Sequence, residues 1–215
     1  MLPLWDDVTK DWRAPLTWLL ILANTAISLY VFNLPPDGQA GIVERYAFLP
    51  NLHESLSPRL LTSAYLHGDY LHLISNMVFL FAFGPSLERG LGRISFLGLY
   101  HLAALAGWLL YAALAREAAP AIGASGAVSG LVAAYILLFP RARIFTAVWL
   151  VWFWRAFYIP AWVYIPVWIA IQLAGALNPE ETEIAYLAHI GGILLGLGWG
   201  GVARAGMSKS PSQRF

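Results

Sequence analysis

The chain contains no cysteine. That removes disulfides, a thiol nucleophile and thiolate-held metal at once. Charge is scarce as well: Asp, Glu, Lys and Arg make up 12 % of the 215 residues, about half the ~25 % of an ordinary soluble domain. A net charge of +1 gives no reason to expect a nucleic-acid partner. The segment before residue 15 carries Asp6, Asp7 and Asp11, with no apolar core of signal-peptide type and no arginine-rich leader, so nothing in it reads as a cleaved segment. No His-Glu-x-x-His pattern occurs, and no carboxylate stands four residues from a histidine, so neither a metal nor another cofactor is expected.

What is abundant is apolar length. Hydrophobic residues form 59 % of the chain, gathered into long runs. The reading is an all-α, multi-pass membrane protein: a single domain over 1–215 with short tails at about 1–15 and 204–215. Spans are expected at 16–32, 70–87, 94–115, 125–139, 157–177 and 186–203. The fourth is short, about 22 Å at ~1.5 Å per residue. Its Ser125 end therefore lies below the membrane surface, and 118–124, with Pro120 and Gly123, must dip in to meet it. The run 144–154 is too short to span. Bracketed by Arg141, Arg143 and Arg155, it is read as interfacial, its tryptophan and phenylalanine side chains at headgroup level. With the N-terminus inside, all the Lys and Arg but Arg45, Arg59 and Arg116 fall on the inner side, which makes both termini cytoplasmic. The long first loop, 33–68, is then outside, with Pro35-Pro36-Asp37-Gly38 as a turn.

Polar groups at membrane depth are costly and point to function. Ser125, in Gly123-Ala124-Ser125-Gly126, opens the fourth span, beside unpaired helix N–H groups that suit a reaction building negative charge. The same glycines can serve only close helix packing. Asp69 is the expected N-cap of the second span, which puts His72 and Asn76 on one face, one turn apart. His189 lies in the first turn of the sixth. These three spans run the same way, so all four residues share a depth. Gly126 and Gly130 on the fourth span and Gly192, Gly196 and Gly200 on the sixth form faces that can pack closely and bring Ser125 to His189 as nucleophile and base. His72, Asn76 and the Ser125 amide can serve an oxyanion. Each has a plainer reading: a loop-bonded histidine, an interhelical asparagine, a packing histidine. His67 lies off the His72/Asn76 face and is assigned a supporting role; His53 and His101 look incidental. No carboxylate neighbours His189 except those of the loop at 180–183, which favours a Ser–His dyad over a triad.

Three stretches together resemble a rhomboid intramembrane serine protease: Gly123-Ala124-Ser125-Gly126, the segment His67-Gly68-Asp69-Tyr70-Leu71-His72-Leu73-Ile74-Ser75-Asn76, and Ala188-His189-Ile190-Gly191-Gly192. The resemblance covers about 59–200. It implies a six-helix bundle with a membrane-embedded first loop, Ser125 as nucleophile, His189 as general base, and His72, Asn76 and the Ser125 amide as oxyanion hole. Gly123, Gly126 and His67 support them. Glu88 resembles the family's acidic position at the inner end of the second span. The fifth span, with Trp162, Trp168 and Gln172, would be the lateral gate. Pro58 stands before Arg59 where many members have tryptophan. Ser129 stands where some place an aromatic ring against the histidine, which leaves open what orients His189. The implied function is endoproteolysis of single-span membrane proteins within the lipid bilayer, in a plasma or inner membrane, with the active site opening to the extracytoplasmic side. The rival is a catalytically silent relative that binds or escorts membrane spans; it typically lacks the intact Ser–His pair.

Overall fold

The computed structural model describes residues 1–9, 13–50, 58–114, 119–150, 153–177 and 185–208. His53, Arg116 and the glutamates at 180–183, all weighed above, lie outside the described residues. Helix α1 covers Pro15–Phe32, α2 Pro36–Tyr46 and α3 Arg59–Thr62, with a 3-10 turn at Ser63–Tyr65. Then come α4 (Tyr70–Leu91), α5 (Arg93–Leu114), α6 (Ser125–Leu138), α7 (Ala161–Leu177) and α8 (Tyr186–Ser208). Four of these, α1, α4, α5 and α8, are long and apolar enough to cross a membrane. α6 and α7 have 14 and 17 residues, about 21 and 25 Å at ~1.5 Å per residue, against a hydrocarbon core of ~30 Å.

The expectation of a purely helical protein is corrected by a three-stranded antiparallel sheet in the order β1 (Leu2–Asp6), β2 (Arg143–Leu150), β3 (Phe153–Pro160). β2 and β3 pair from Arg143 opposite Pro160 to Leu150 opposite Phe153. The run 144–154 is thus strand over its described residues. Its β-branched and aromatic residues favour strand, and Ile144 and Thr146 are buried while Phe145 and Ala147 are only half-buried, the period-two pattern of a one-faced sheet. β3 also takes 157–160 from the expected fifth span, so α7 begins at Ala161. Within the expected N-terminal tail, Asp6 of β1 is buried and accepts a hydrogen bond from Tyr135 Oη of α6 at 2.7 Å.

Proline and acidic residues set the helix starts. Pro36 begins α2 as its first residue, so the expected turn at 35–38 is instead a helix N-terminus, the position where a missing N–H costs nothing. Pro15 does the same for α1. That helix has no cap from its own N-cap side chain, and a carboxylate from another helix supplies one. Glu88, buried in α4, accepts from Leu16 N at 3.1 Å, Thr17 N at 2.7 Å and Thr17 Oγ1 at 2.9 Å. A negative group there meets unpaired donors and the positive end of the helix dipole. α1 and α4 come close above it because a Cβ on Gly84 would reach Thr17 Cγ2 at 2.5 Å.

The core runs through α4, α5, α6 and α8, with α6 at its centre: every residue from Gly126 to Tyr135 is buried. The first loop is tied to the segment entering α6. Phe48 and Ala121 exchange two backbone hydrogen bonds of 2.9 Å, and Gly123 N donates to Ser63 O at 2.9 Å. Phe48 also stacks on Trp108 of α5, ring centroids 5.4 Å apart. These bonds satisfy backbone that would otherwise be stranded in an apolar setting.

Candidate active site

The site lies where α4, α6 and α8 begin. Asp69 caps α4, its carboxylate accepting from His72 N at 2.8 Å, as its position one residue before the helix suggests. His72 then faces the chain entering α6. Gly123 has φ +129, a conformation that disfavours any side chain. A Cβ placed there would stand 2.6 Å from His72 Nε2 and 3.7 Å from Ser125 Oγ. The His72 ring and the Ser125 hydroxyl thus both approach the bare Cα of Gly123, and the imidazole leaves no room for a side chain there.

Glycine spacing brings α8 to the same place. A Cβ on Gly126 would meet the Ala188 carbonyl oxygen at 3.3 Å, and one on Gly192 would collide with the Gly126 carbonyl oxygen. Lower down, Gly196 lies against the Gly130 carbonyl, and a Cβ on Gly200 would stand 3.0 Å from Ala134 Cα. Gly107 of α5 presses on the Ala188 carbonyl from the other side, at 2.5 Å from its would-be Cβ. Ser125 and His189 each neighbour one member of the Gly126–Ala188 contact. Among the described residues no hydrogen bond joins the Ser125 hydroxyl to His189.

His189 is buried, and its Nδ1 is bonded to Gln172 Oε1 of α7 at 2.8 Å. Its ring also meets Tyr186 edge-on, centroids 5.6 Å apart at 74°. Ser129, one turn after Ser125, is buried and offers no ring; the aromatic neighbour comes from α8 itself. Asn76 is buried, and its Nδ2 donates to the His72 carbonyl at 3.0 Å. An amide nitrogen has a second hydrogen, so one donor remains. His67 is buried with Nδ1 2.9 Å from Ser28 Oγ, and its ring stands edge-on to His72 at 5.0 Å. It packs against His72. Among the described residues no three His, Asp or Glu side chains group as a metal site would require.

Residues 57–205 match the family model of the Rhomboid domain. The chain belongs to the rhomboid family. It is 33 % identical to Rhomboid protein 1, mitochondrial, of Saccharomyces cerevisiae over 205 residues, covering 91 % of this chain and 56 % of the relative. It is 29 % identical to RHOMBOID-like protein 12, mitochondrial, of Arabidopsis thaliana, covering 80 % of this chain and 54 % of that protein. RHOMBOID-like protein 6, mitochondrial, of the same plant is also 29 % identical, over 86 % of this chain and 67 % of its own length. The chain thus spans about half the length of the first two relatives.

Two polar groups of this rhomboid chain escaped sequence reasoning. His101, set aside as incidental, joins α5 to the first loop. A carbonyl only accepts, so its Nδ1 donates to Leu97 O at 2.9 Å, which leaves Nε2 to accept from Tyr65 Oη at 2.8 Å. From sequence, Gln172 is simply one residue of the expected gate helix. The available signal was an amide in an otherwise apolar helix, which ordinarily marks a partner inside the bundle.

Proposed function

We propose that this rhomboid protein is an intramembrane serine endopeptidase that cleaves single-span membrane proteins. The observation that carries the reading is the crowding at Gly123: His72 Nε2 and the Ser125 hydroxyl both approach its bare Cα, at the N-terminus of α6, and the Gly126–Ala188 contact packs the first turn of α8, which carries His189, against that end. A carbonyl presented to the Ser125 hydroxyl there has its oxygen on the side of donors.

Chemistry follows from the groups present. Ser125 Oγ attacks the scissile carbonyl carbon while His189 Nε2 takes the hydroxyl proton. The carbonyl oxygen, now negative, is held by the Ser125 amide, His72 Nε2–H and the free Asn76 Nδ2 hydrogen. The tetrahedral adduct collapses, the C–N bond breaks, and His189 returns the proton to the leaving amine. The remaining ester between Ser125 and the substrate is hydrolysed by water through the same steps, with His189 as base. A span must unwind to expose its carbonyl, since an intact helix keeps it bonded. Access is assigned to the seam between α4 and α7, where Phe79 and Trp168 touch with centroids 5.6 Å apart and Trp162 is exposed. The lysine and arginine bias puts both termini in the cytoplasm and opens the site to the extracytoplasmic side of a plasma or inner membrane.

The test is labelling of detergent-purified protein with a fluorescent fluorophosphonate, beside cleavage of a transmembrane peptide in liposomes. Wild type is expected to label and cleave; Ser125→Ala and His189→Ala do neither. Full cleavage by either variant removes the mechanism. A wild type that leaves the peptide intact and the probe unbound is a binding protein rather than a protease.

A further inference from the structure

The geometry points to Gln172 of α7 as the positioning residue for His189, setting its tautomer; this rests on the catalytic reading above. Gln172 is 7 % exposed, although α7 is apolar and its other buried residues are Ala161, Tyr164 and Ile165, near the opposite end. Its two amide ends are told apart by their neighbours. Nε2 donates to the Trp168 carbonyl at 3.4 Å, a partner that only an N–H can use. Oε1 therefore faces the imidazole, at 2.8 Å from Nδ1. An amide oxygen only accepts, so the proton of neutral His189 sits on Nδ1. The lone pair is left on Nε2, the nitrogen that a serine proton needs. A histidine without this bond distributes its proton between both nitrogens, and the form protonated on Nε2 cannot act as base.

A second contact holds the arrangement in register. A Cβ on Gly175, three residues after Gln172, would collide with the Tyr186 ring, so Tyr186 lies flat against bare backbone there. Tyr186 stands three residues before His189 and touches its ring. Spacing of three puts each pair on one face of its helix. Tyr186 on Gly175 and His189 on Gln172 are thus successive rungs between α7 and α8. The ring is fixed by packing on its edge and by a hydrogen bond at Nδ1, the role that a buried carboxylate performs in a triad. An uncharged amide supplies it here without the cost of placing a further charge in an apolar bundle.

The experiment uses the full chain in liposomes with a quenched fluorescent transmembrane peptide. Gln172→Leu keeps the volume and removes the acceptor; Gln172→Glu keeps an acceptor. Gln172→Leu is expected to lower kcat about 100-fold with KM within about twofold, and Gln172→Glu to recover all but about fivefold; loss of the triad carboxylate in a soluble serine protease costs ~10⁴-fold. Wild-type kcat in Gln172→Leu, or a loss in Gln172→Glu as deep as in Gln172→Leu, overturns the assignment while leaving the catalytic reading intact. Ser125→Ala and His189→Ala run in parallel: activity in either overturns the catalytic reading and this inference with it. A readout needing no variant at position 172 is the nitrogen NMR spectrum of histidine-labelled protein, with His189→Ala assigning the signal. Neutral His189 protonated on Nδ1 is the expected result, and protonation on Nε2 overturns it.

Discussion

The Ala188 carbonyl oxygen lies 3.3 Å from where Gly126 would carry a Cβ, and the Gly126 carbonyl in turn leaves no room for a side chain on Gly192. α6 and α8 therefore touch backbone to backbone directly below the serine. Gly192→Ala must push the helices apart. It is expected to destabilise the fold by about 1–3 kcal/mol and to lower peptide cleavage further than stability alone explains. Gly198 of α8 has open space around it, so Gly198→Ala is the matched control and leaves both unchanged. Thermal unfolding in detergent beside the cleavage assay reads the two effects separately.

Glu88 joins α4 to the start of α1 through three hydrogen bonds. Glu88→Ala strands two amides and a hydroxyl and is expected to cost about 2–4 kcal/mol, on the scale of charge-assisted bonds whose partners stay buried. Glu88→Gln keeps the acceptor oxygen and loses less. Denaturant titration by tryptophan fluorescence gives the order; equal stability of all three proteins would show that the cap is idle.

Asp6 makes stability depend on pH. Burial raises its carboxyl above the ordinary 3.8, outweighing the hydrogen bonds it accepts. The folded protein thus holds this proton more tightly than the unfolded chain does. Its contribution is fully present below the ordinary value and is lost as pH rises through the raised one. Asp6→Asn removes that slope. The melting temperature of the variant minus that of wild type is expected to rise between about pH 4 and about pH 7. A difference that stays flat counts against the assignment.

Asn76 has one amide hydrogen engaged with His72 O, and on the proposed mechanism the other serves a developing oxyanion. Asn76→Ala is expected to reduce kcat by about 10²–10³ with little change in KM, the usual cost of one such donor. Fluorophosphonate labelling should slow in parallel, because the phosphoryl oxygen needs the same donors. A KM effect alone would make Asn76 a substrate-binding residue.

Much of this was legible because membrane helices are written in composition. The runs at 16–32, 70–87, 94–115, 125–139 and 186–203 begin within a residue of helices in the structure, and two of those helices, α4 and α8, continue deeper. Glycines spaced by four on α6 and α8 announced their contact, and Asp69 announced its cap. Two kinds of feature were hidden. The strands were hidden because an apolar run of about eleven residues fits an interfacial segment as well as a hairpin, and the partner that stabilises β2 on its far side, β1, is over 130 residues away in sequence. The Gln172–His189 bond was hidden because it joins two helices, 17 residues apart in sequence, and its register is set by Tyr186 lying on Gly175, a fit with no sequence pattern.

α7 is fastened unevenly. Near its start Ala161, Tyr164 and Ile165 are buried, whereas nearer its end the buried residue is Gln172. If a span enters past this helix, the less buried end, which carries the histidine's acceptor, gives way first. On the proposed mechanism, the enzyme is therefore disarmed while its door is ajar and rearmed as the door shuts. Brief collisions with passing membrane proteins end before the base is ready, and only a segment that stays until α7 returns is cut. Selectivity then rests on dwell time as much as on the shape of the site.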